Sequence, residues 1–230
     1  MESHLEADQK DNLVRVQAQK SKYAGAIRIA ARVISYVFHP LFIPVYLGWL
    51  VLKTDSYLFG SFNDRQKFML LASFGVMYIM FPLVSVLLMK ALGFISSIHL
   101  RTQKDRIIPY VVCMIWYWWM WYVTSNRPDD VPKDAIILSL AIFLASIGGL
   151  MANIRMKVSM HAIAAGVMAA FVMLLGLSQD VNFGIYITLS ILLAGVTCTA
   201  RLIDGNHTTK EIYWGLFIGI FSVVMSSKFA

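Results

Sequence analysis

The run Asp134-Ala-Ile-Ile-Leu-Ser-Leu-Ala-Ile-Phe-Leu-Ala-Ser-Ile-Gly-Gly-Leu-Met-Ala-Asn153 carries no charged side chain after its first residue. A bilayer's hydrocarbon core takes about 20 apolar residues per helix, and this run supplies them. In lipid every backbone N–H and C=O must be paired within the spanning segment, and the two-residue alternation of a barrel strand is missing, so the run reads as a transmembrane α-helix. Six more stretches share its character: 33–52, 67–92, 107–125, 158–178, 182–200 and 212–228. The expected fold is an all-α, polytopic transmembrane helix bundle with six or seven spans. Six apply if 33–52, interrupted by Pro40 and Pro44, is re-entrant.

Composition agrees. Of 230 residues 58% are hydrophobic and 14% charged, and the mean hydropathy is +0.66, more apolar than a soluble domain needs to bury its core. Residues 1–32 mix Lys10, Arg15, Lys20, Lys22, Arg28 and Arg32 with Glu2, Glu6, Asp8 and Asp11, too polar for the apolar centre of a signal peptide. They read as a basic tail or an interfacial helix, with Ile27, Ile29, Ala30 and Val33 suited to an amphipathic lead-in. The transmembrane domain is then 33–230. Cys113 and Cys198 both fall inside predicted spans, which argues against a disulfide framework. The net charge of +7 sits beside spans, where it sets orientation and meets anionic headgroups, and no nucleic-acid motif accompanies it.

Seven spans divide the Lys and Arg residues unequally. Fourteen fall with the N-terminal tail: six in the tail itself, then Lys90, Arg101, Lys104, Arg106, Arg155, Lys157, Arg201 and Lys210. Six fall opposite: Lys53, Arg65, Lys67, Arg127, Lys133 and Lys228. The positive-inside rule makes the first side cytoplasmic. The protein is expected in a bacterial inner membrane as a multi-pass protein, and a homo-oligomer is compatible with this reading. Trp116, Tyr117, Trp118, Trp119, Trp121 and Tyr122 close the third stretch as an interfacial aromatic belt. His39-Pro40, Pro44 and Pro82 read as kinks rather than binding positions, and Gly148, Gly149, Ala162, Ala165, Gly166, Gly215 and Gly219 as close-packing positions between helices.

Ionisable groups are costly at a bundle's mouth, so clusters of them there point to function. Three lie in alternate joints and therefore share one membrane face. Arg201-Leu-Ile-Asp-Gly-Asn-His207-Thr-Thr-Lys-Glu211 places Glu211 one helical turn beyond His207, able to fix its tautomer, with Arg201 beside them to hold an anion. Thr208-x-x-Glu211 is equally a capping box, and a helix N-terminus itself favours an anion. Lys157-Val-Ser159-Met-His161 puts a cation, a hydroxyl and an imidazole within about one turn. His99-Leu-Arg101-Thr-Gln-Lys104-Asp-Arg106-Ile-Ile-Pro109 alone is a juxtamembrane basic patch.

In this order the three segments, over roughly residues 95–215, resemble the tripartite signature of the type-2 phosphatidic acid phosphatase superfamily, which includes lipid phosphate phosphatases and vanadium haloperoxidases. Arg201, His207 and Glu211 fall at the third motif's spacing, with Ala200 for its Ser and Glu for its Asp. Ser159 and His161 match the second motif, where Val158 and Met160 replace Pro and Gly. Arg101 lies eight residues before Pro109 as the first motif's Lys would, while Ile108 stands where its Arg belongs and Arg106 or Lys104 would substitute.

The resemblance implies an integral-membrane lipid phosphate or diphosphate phosphatase. His207 would attack phosphorus to form a phosphohistidine, His161 would protonate the leaving group, and Glu211 would orient His207. Arg101, Lys104, Arg106, Lys157, Ser159 and Arg201 would hold the phosphate, since charge stabilisation supplies much of such a rate. Asp105, Asp204 and Glu211 show no metal-ligand spacing, so neither metal nor cofactor is expected. The rival readings are a catalytically degenerate member that binds or moves anionic lipids, and an accessory subunit of a membrane complex. A transporter is disfavoured by the lack of ionisable groups in mid-span.

Overall fold

The computed structural model describes residues 4–7, 13–16, 24–54, 63–95, 103–178 and 182–230. A short antiparallel hairpin, β1 His4–Ala7 with β2 Leu13–Val16, precedes the helices. The helices are α1 Gly25–Val37, α2 Ile43–Thr54, α3 Asp64–Ala91, α4 Gln103–Ser125, α5 Lys133–Asn153, α6 Met160–Ser178, α7 Gly184–Ile203 and α8 Thr209–Phe229. The last six are long and apolar enough to cross a membrane, and they follow the runs read from hydropathy to within a few residues at each end.

The first stretch behaves differently. A single helix over 33–52 would carry Pro40 and Pro44 in its interior, where a ring removes a backbone donor and crowds the preceding turn. The chain instead ends α1 at Val37, turns through residues 38–42 and restarts as α2 at Ile43. The turn pairs its own backbone, with the Phe42 and Ile43 N–H groups donating to the His39 carbonyl at 2.9 and 3.4 Å. The 12 residues of α2 rise about 18 Å, well short of the ~30 Å hydrocarbon core. The single span expected over 33–52 is therefore corrected to two helices with a break between them.

α2 runs antiparallel to the start of α3: Gly48 abuts Phe74, and Lys53 and Lys67 line one groove. Its C-terminal end is thus level with the N-terminus of α3, on the face opposite the α3–α4 joint. The break at 38–42 lies beside the first turn of α6, where the His39 and His161 ring centroids are 5.2 Å apart. α2 therefore leads from the turn beside α6 toward the opposite face, and α1 precedes it against the C-terminal end of α7. The turn abuts α6 through the edge-on contact of His39 with His161.

α6 and α8 form the tightest pair. A Cβ at Gly166 would stand 2.5 Å from the Leu216 carbonyl oxygen, one at Gly215 would stand 2.9 Å from the Ser159 carbonyl, and one at Gly219 would press on the Ile163 carbonyl. Small residues let two backbones approach, which is how helices associate in lipid, where burial of apolar surface supplies no drive. α3 bends through a π-helical turn, Val76–Met80, just before Pro82, and this turn places Tyr78 fully inside against Phe74 and Tyr117.

The aromatic run divides in two. Trp118, Trp119 and Tyr122 face outward as a belt would. Trp116 donates to the Ser85 hydroxyl at 3.2 Å, and Trp121 stacks on Phe143.

The glycine contacts yield a direct test. Gly219→Val forces backbone apart between α6 and α8 and is expected to destabilise by about 1–3 kcal/mol or more. Gly195→Ala, at a helical glycine with open space around its missing Cβ, is expected to be neutral or to stabilise by up to about 1 kcal/mol. Thermal melting of both variants in detergent checks the contrast; equal melting temperatures would remove the α6–α8 contact from its assigned role.

Candidate functional site

The site grows from the cap of α8. Thr208 is its N-cap: the Glu211 N–H donates to Thr208 Oγ1 at 3.3 Å and the Thr208 N–H donates to Glu211 Oε2 at 3.1 Å, closing the capping box. The same Oε2 also accepts from His207 Nδ1 at 3.0 Å. The capping and orienting roles therefore coexist on one carboxylate. His207 Nδ1 also lies 3.2 Å from the Lys157 carbonyl oxygen. Both neighbours can only accept, so Nδ1 carries the hydrogen, and the lone pair of a neutral ring is on Nε2.

Burial sets the charge of this ring. The His207 side chain is 2% exposed. Desolvation holds it below its ordinary 6.5; the Glu211 hydrogen bond opposes that shift, and the charges of Arg106 and Arg201 reinforce it. His207 is thus a neutral imidazole around pH 7 with Nε2 unprotonated.

The α5–α6 joint is held from both sides. Arg106 Nη1 donates to the Val158 carbonyl at 2.9 Å, while the Ser159 N–H donates to the Glu211 carbonyl at 3.4 Å. Ser159 is fully buried and caps α6, its Oγ accepting from the Ala162 N–H at 3.3 Å. The start of α4 is fixed by a reciprocal pair across 50 residues: Gln103 Nε2 donates to the Asn153 carbonyl at 2.9 Å, and Asn153 Nδ2 to the Gln103 carbonyl at 3.0 Å. Arg106 is thereby set beside the histidine joint.

On the other flank, His161 Nε2 lies 3.1 Å from the Ser35 carbonyl of α1, to which it can only donate. Arg201 Nη1 donates to Ser35 Oγ at 3.4 Å and pairs with Asp204 at 3.3 Å. Arg32 Nε stands 3.7 Å from the other oxygen of Asp204. The His39 Nδ1 accepts the Leu41 N–H at 3.3 Å, which leaves Nε2 as the donor on the ring that meets His161 edge-on.

The three joints singled out from sequence thus converge, bringing Arg106, Lys157, Ser159, His161, Arg201, His207 and Glu211 to one face. Lys104 points outward from the first turn of α4. Arg101 lies outside the described residues. Asp204, able from sequence to pair with a nearby Arg, bridges Arg32 and Arg201. Two contributors went unread, Ser35 and His39, which reads from sequence as part of a kink. A His-Pro dipeptide in the middle of an apolar stretch is the signal that marks it, since broken helices in membranes gather at binding sites. Among the described residues no group of three or more His, Cys, Asp or Glu side chains is placed to hold a metal ion.

The chain matches no protein-family model, no curated protein and no solved structure.

The depressed His207 has a signed consequence. The unfolded imidazole takes its proton near pH 6.5 and the folded one only at lower pH, so folded stability falls as pH drops below 6.5. The melting temperature is expected to fall between pH 7.5 and 5.0, by less in His207→Gln. An identical fall in both proteins would mean that other groups carry the dependence.

Proposed function

We propose that the protein is a membrane phosphatase that hydrolyses lipid phosphates or diphosphates through a phosphohistidine on His207. One observation carries the reading: a buried, neutral imidazole with Nδ1–H fixed on Glu211 and its lone pair on Nε2, beside Arg106 and Arg201. A nucleophilic histidine needs that tautomer, and a transferring phosphoryl group needs cations around its oxygens.

In the first step Nε2 bonds to phosphorus and the bond from phosphorus to the leaving oxygen breaks, its electron pair going to that oxygen. His161 supplies a proton where the leaving group needs one. In the second, water attacks the phosphohistidine, the N–P bond breaks, and orthophosphate departs with His207 restored. Lys157 and the three arginines Arg101, Arg106 and Arg201 are the assigned phosphate-binding cations, and Ser159 shapes the joint as a helix cap. Apolar helices below the site suit a substrate whose tails stay in lipid, and the excess of Lys and Arg on this side supports a cytoplasmic site.

A second reading, an anionic-lipid binder without turnover, is favoured by the commitment of the His161 Nε2–H to the Ser35 carbonyl, which leaves only Nδ1 to serve a leaving group. The two separate cleanly in one assay.

Purified protein in detergent with EDTA is expected to release phosphate from lipid phosphates or diphosphates, and His207→Ala to abolish release. Glu211→Gln, which removes the orienting carboxylate, is expected to lower kcat roughly 10²- to 10⁴-fold. kcat/KM should decline only below pH 6.5, since burial lowers His207 from that value. Release that survives in His207→Ala overturns the histidine mechanism; folded protein that binds anionic lipid and releases nothing establishes the second reading.

A further inference from the structure

α1 presents one polar stripe. Arg28, Arg32 and Ser35 recur at helical spacing; Ser35 is buried with Ala31 and meets Arg201, and the more exposed Arg32 reaches Asp204, both at the C-terminal end of α7. Its other faces expose Ile27, Ile29, Val33, Tyr36 and Val37, the composition of a helix lying at a membrane surface with apolar side chains in lipid.

The stripe is over-supplied with donors. Arg28 Nε and Arg201 Nε are both buried and find no acceptor among the described residues. A buried guanidinium donor left without a partner is costly. Among the described residues Asp204 bridges Arg32 and Arg201 and also accepts from Asn206 Nδ2. Two guanidinium groups share that carboxylate, and the Nε donors of Arg28 and Arg201 stay unused among the described residues. The unused donors fit a phosphate group, which guanidinium forks bind two oxygens at a time.

We infer that Arg28, Arg32 and Arg201 form a second phosphate position next to the His207 position, and that the substrate is a diphosphate joined to an apolar chain. The inference rests on the phosphatase reading and names its substrate class. The terminal phosphate sits at His207 and the chain-bearing phosphate under α1, whose apolar faces lie where the chain enters lipid. His207 Nε2 bonds to the terminal phosphorus, the bond from that phosphorus to the bridging oxygen breaks, and its electron pair stays on the chain-bearing monophosphate. Phosphate monoesters take their second proton only near pH 6, so this group leaves as an anion without needing a proton. An alkoxide from a simple phosphate ester would need one. The orientation of His161, whose Nε2–H is held by the Ser35 carbonyl, agrees with a leaving group of the first kind.

The test uses the full chain in detergent with His207→Gln as the non-hydrolysing parent, titrated calorimetrically with inorganic pyrophosphate and orthophosphate. Pyrophosphate is expected to bind about tenfold or more tightly, one to two charged hydrogen bonds' worth of preference, and Arg28→Gln with Arg32→Gln to bring the two anions to similar affinities. Arg32→Gln alone, at a side chain 57% exposed, keeps the fold and should reduce the preference in part. Equal affinities in the parent, or a preference untouched by the double substitution, overturn the second position. A parallel assay of the unsubstituted enzyme compares a lipid diphosphate, the same lipid's monophosphate and inorganic pyrophosphate, and expects the lipid diphosphate to lead in kcat/KM. Hydrolysis without that preference fails the inference and leaves the phosphatase; an α1-dependent pyrophosphate preference with no hydrolysis of anything fails the phosphatase and leaves the anion position. Faster turnover of inorganic pyrophosphate than of the lipid diphosphate overturns the assignment of the apolar chain.

Discussion

The close approach of α6 and α8 sets the geometry of everything at the membrane face. With glycines at 166, 215 and 219 the two backbones come within contact of each other's carbonyl groups, and Gly215 rests on the Ser159 carbonyl. That contact presses the first turn of α8 onto the joint before α6. The Glu211 carbonyl then receives the Ser159 N–H, and His207 reaches the Lys157 carbonyl. Larger side chains at these positions would lift the histidine joint away from α6, and the imidazole would lose both burial and partner. Helix packing and the seating of His207 on the Lys157 carbonyl are thus consequences of one steric fact.

The charges are arranged by the same economy of space. Arg106 and His207 each use a carbonyl of the α5–α6 joint, at Val158 and Lys157. Those carbonyl groups precede α6 and lie outside its helical ladder, so they need partners of their own when buried. Side chains with chemical roles supply them. Removing such a side chain would cost fold as well as function, and Glu211→Gln, which leaves both the cap hydroxyl and the joint's backbone partners in place, is the more informative change at this site.

Much of this was legible in sequence because it is local. The six spanning helices follow from apolar runs, the α8 cap from Thr208 and Glu211 three residues apart, and the helix contacts from Gly166, Gly215 and Gly219. The three joints share a face by counting spans. What escaped is long-range: His161 bonds across 126 residues to Ser35, and Arg201 reaches the same residue across 166. His39 has no charged neighbour in sequence, so the His-Pro break, the one local mark of a site, reads as a kink. Ser159 was legible as a site residue but not as a cap: a serine before a helix serves equally as a cap or as a donor to ligand, and here its oxygen accepts the Ala162 N–H while its own O–H remains a donor.

The break in the first apolar stretch carries the last step. A continuous helix from 33 to 52 would hold α1 and α2 on one axis, and could not both seat Ser35 against His161 and let α2 run beside α3. Separating the two pieces at 38–42 frees α1 to lie over the histidine joint while α2 packs into the bundle. The proline pair that interrupts the apolar run thereby links membrane insertion to assembly of the site. The same segment supplies Ser35, His39 and Arg32 to the joint, so the break that seats α2 against α3 also fixes where these groups arrive.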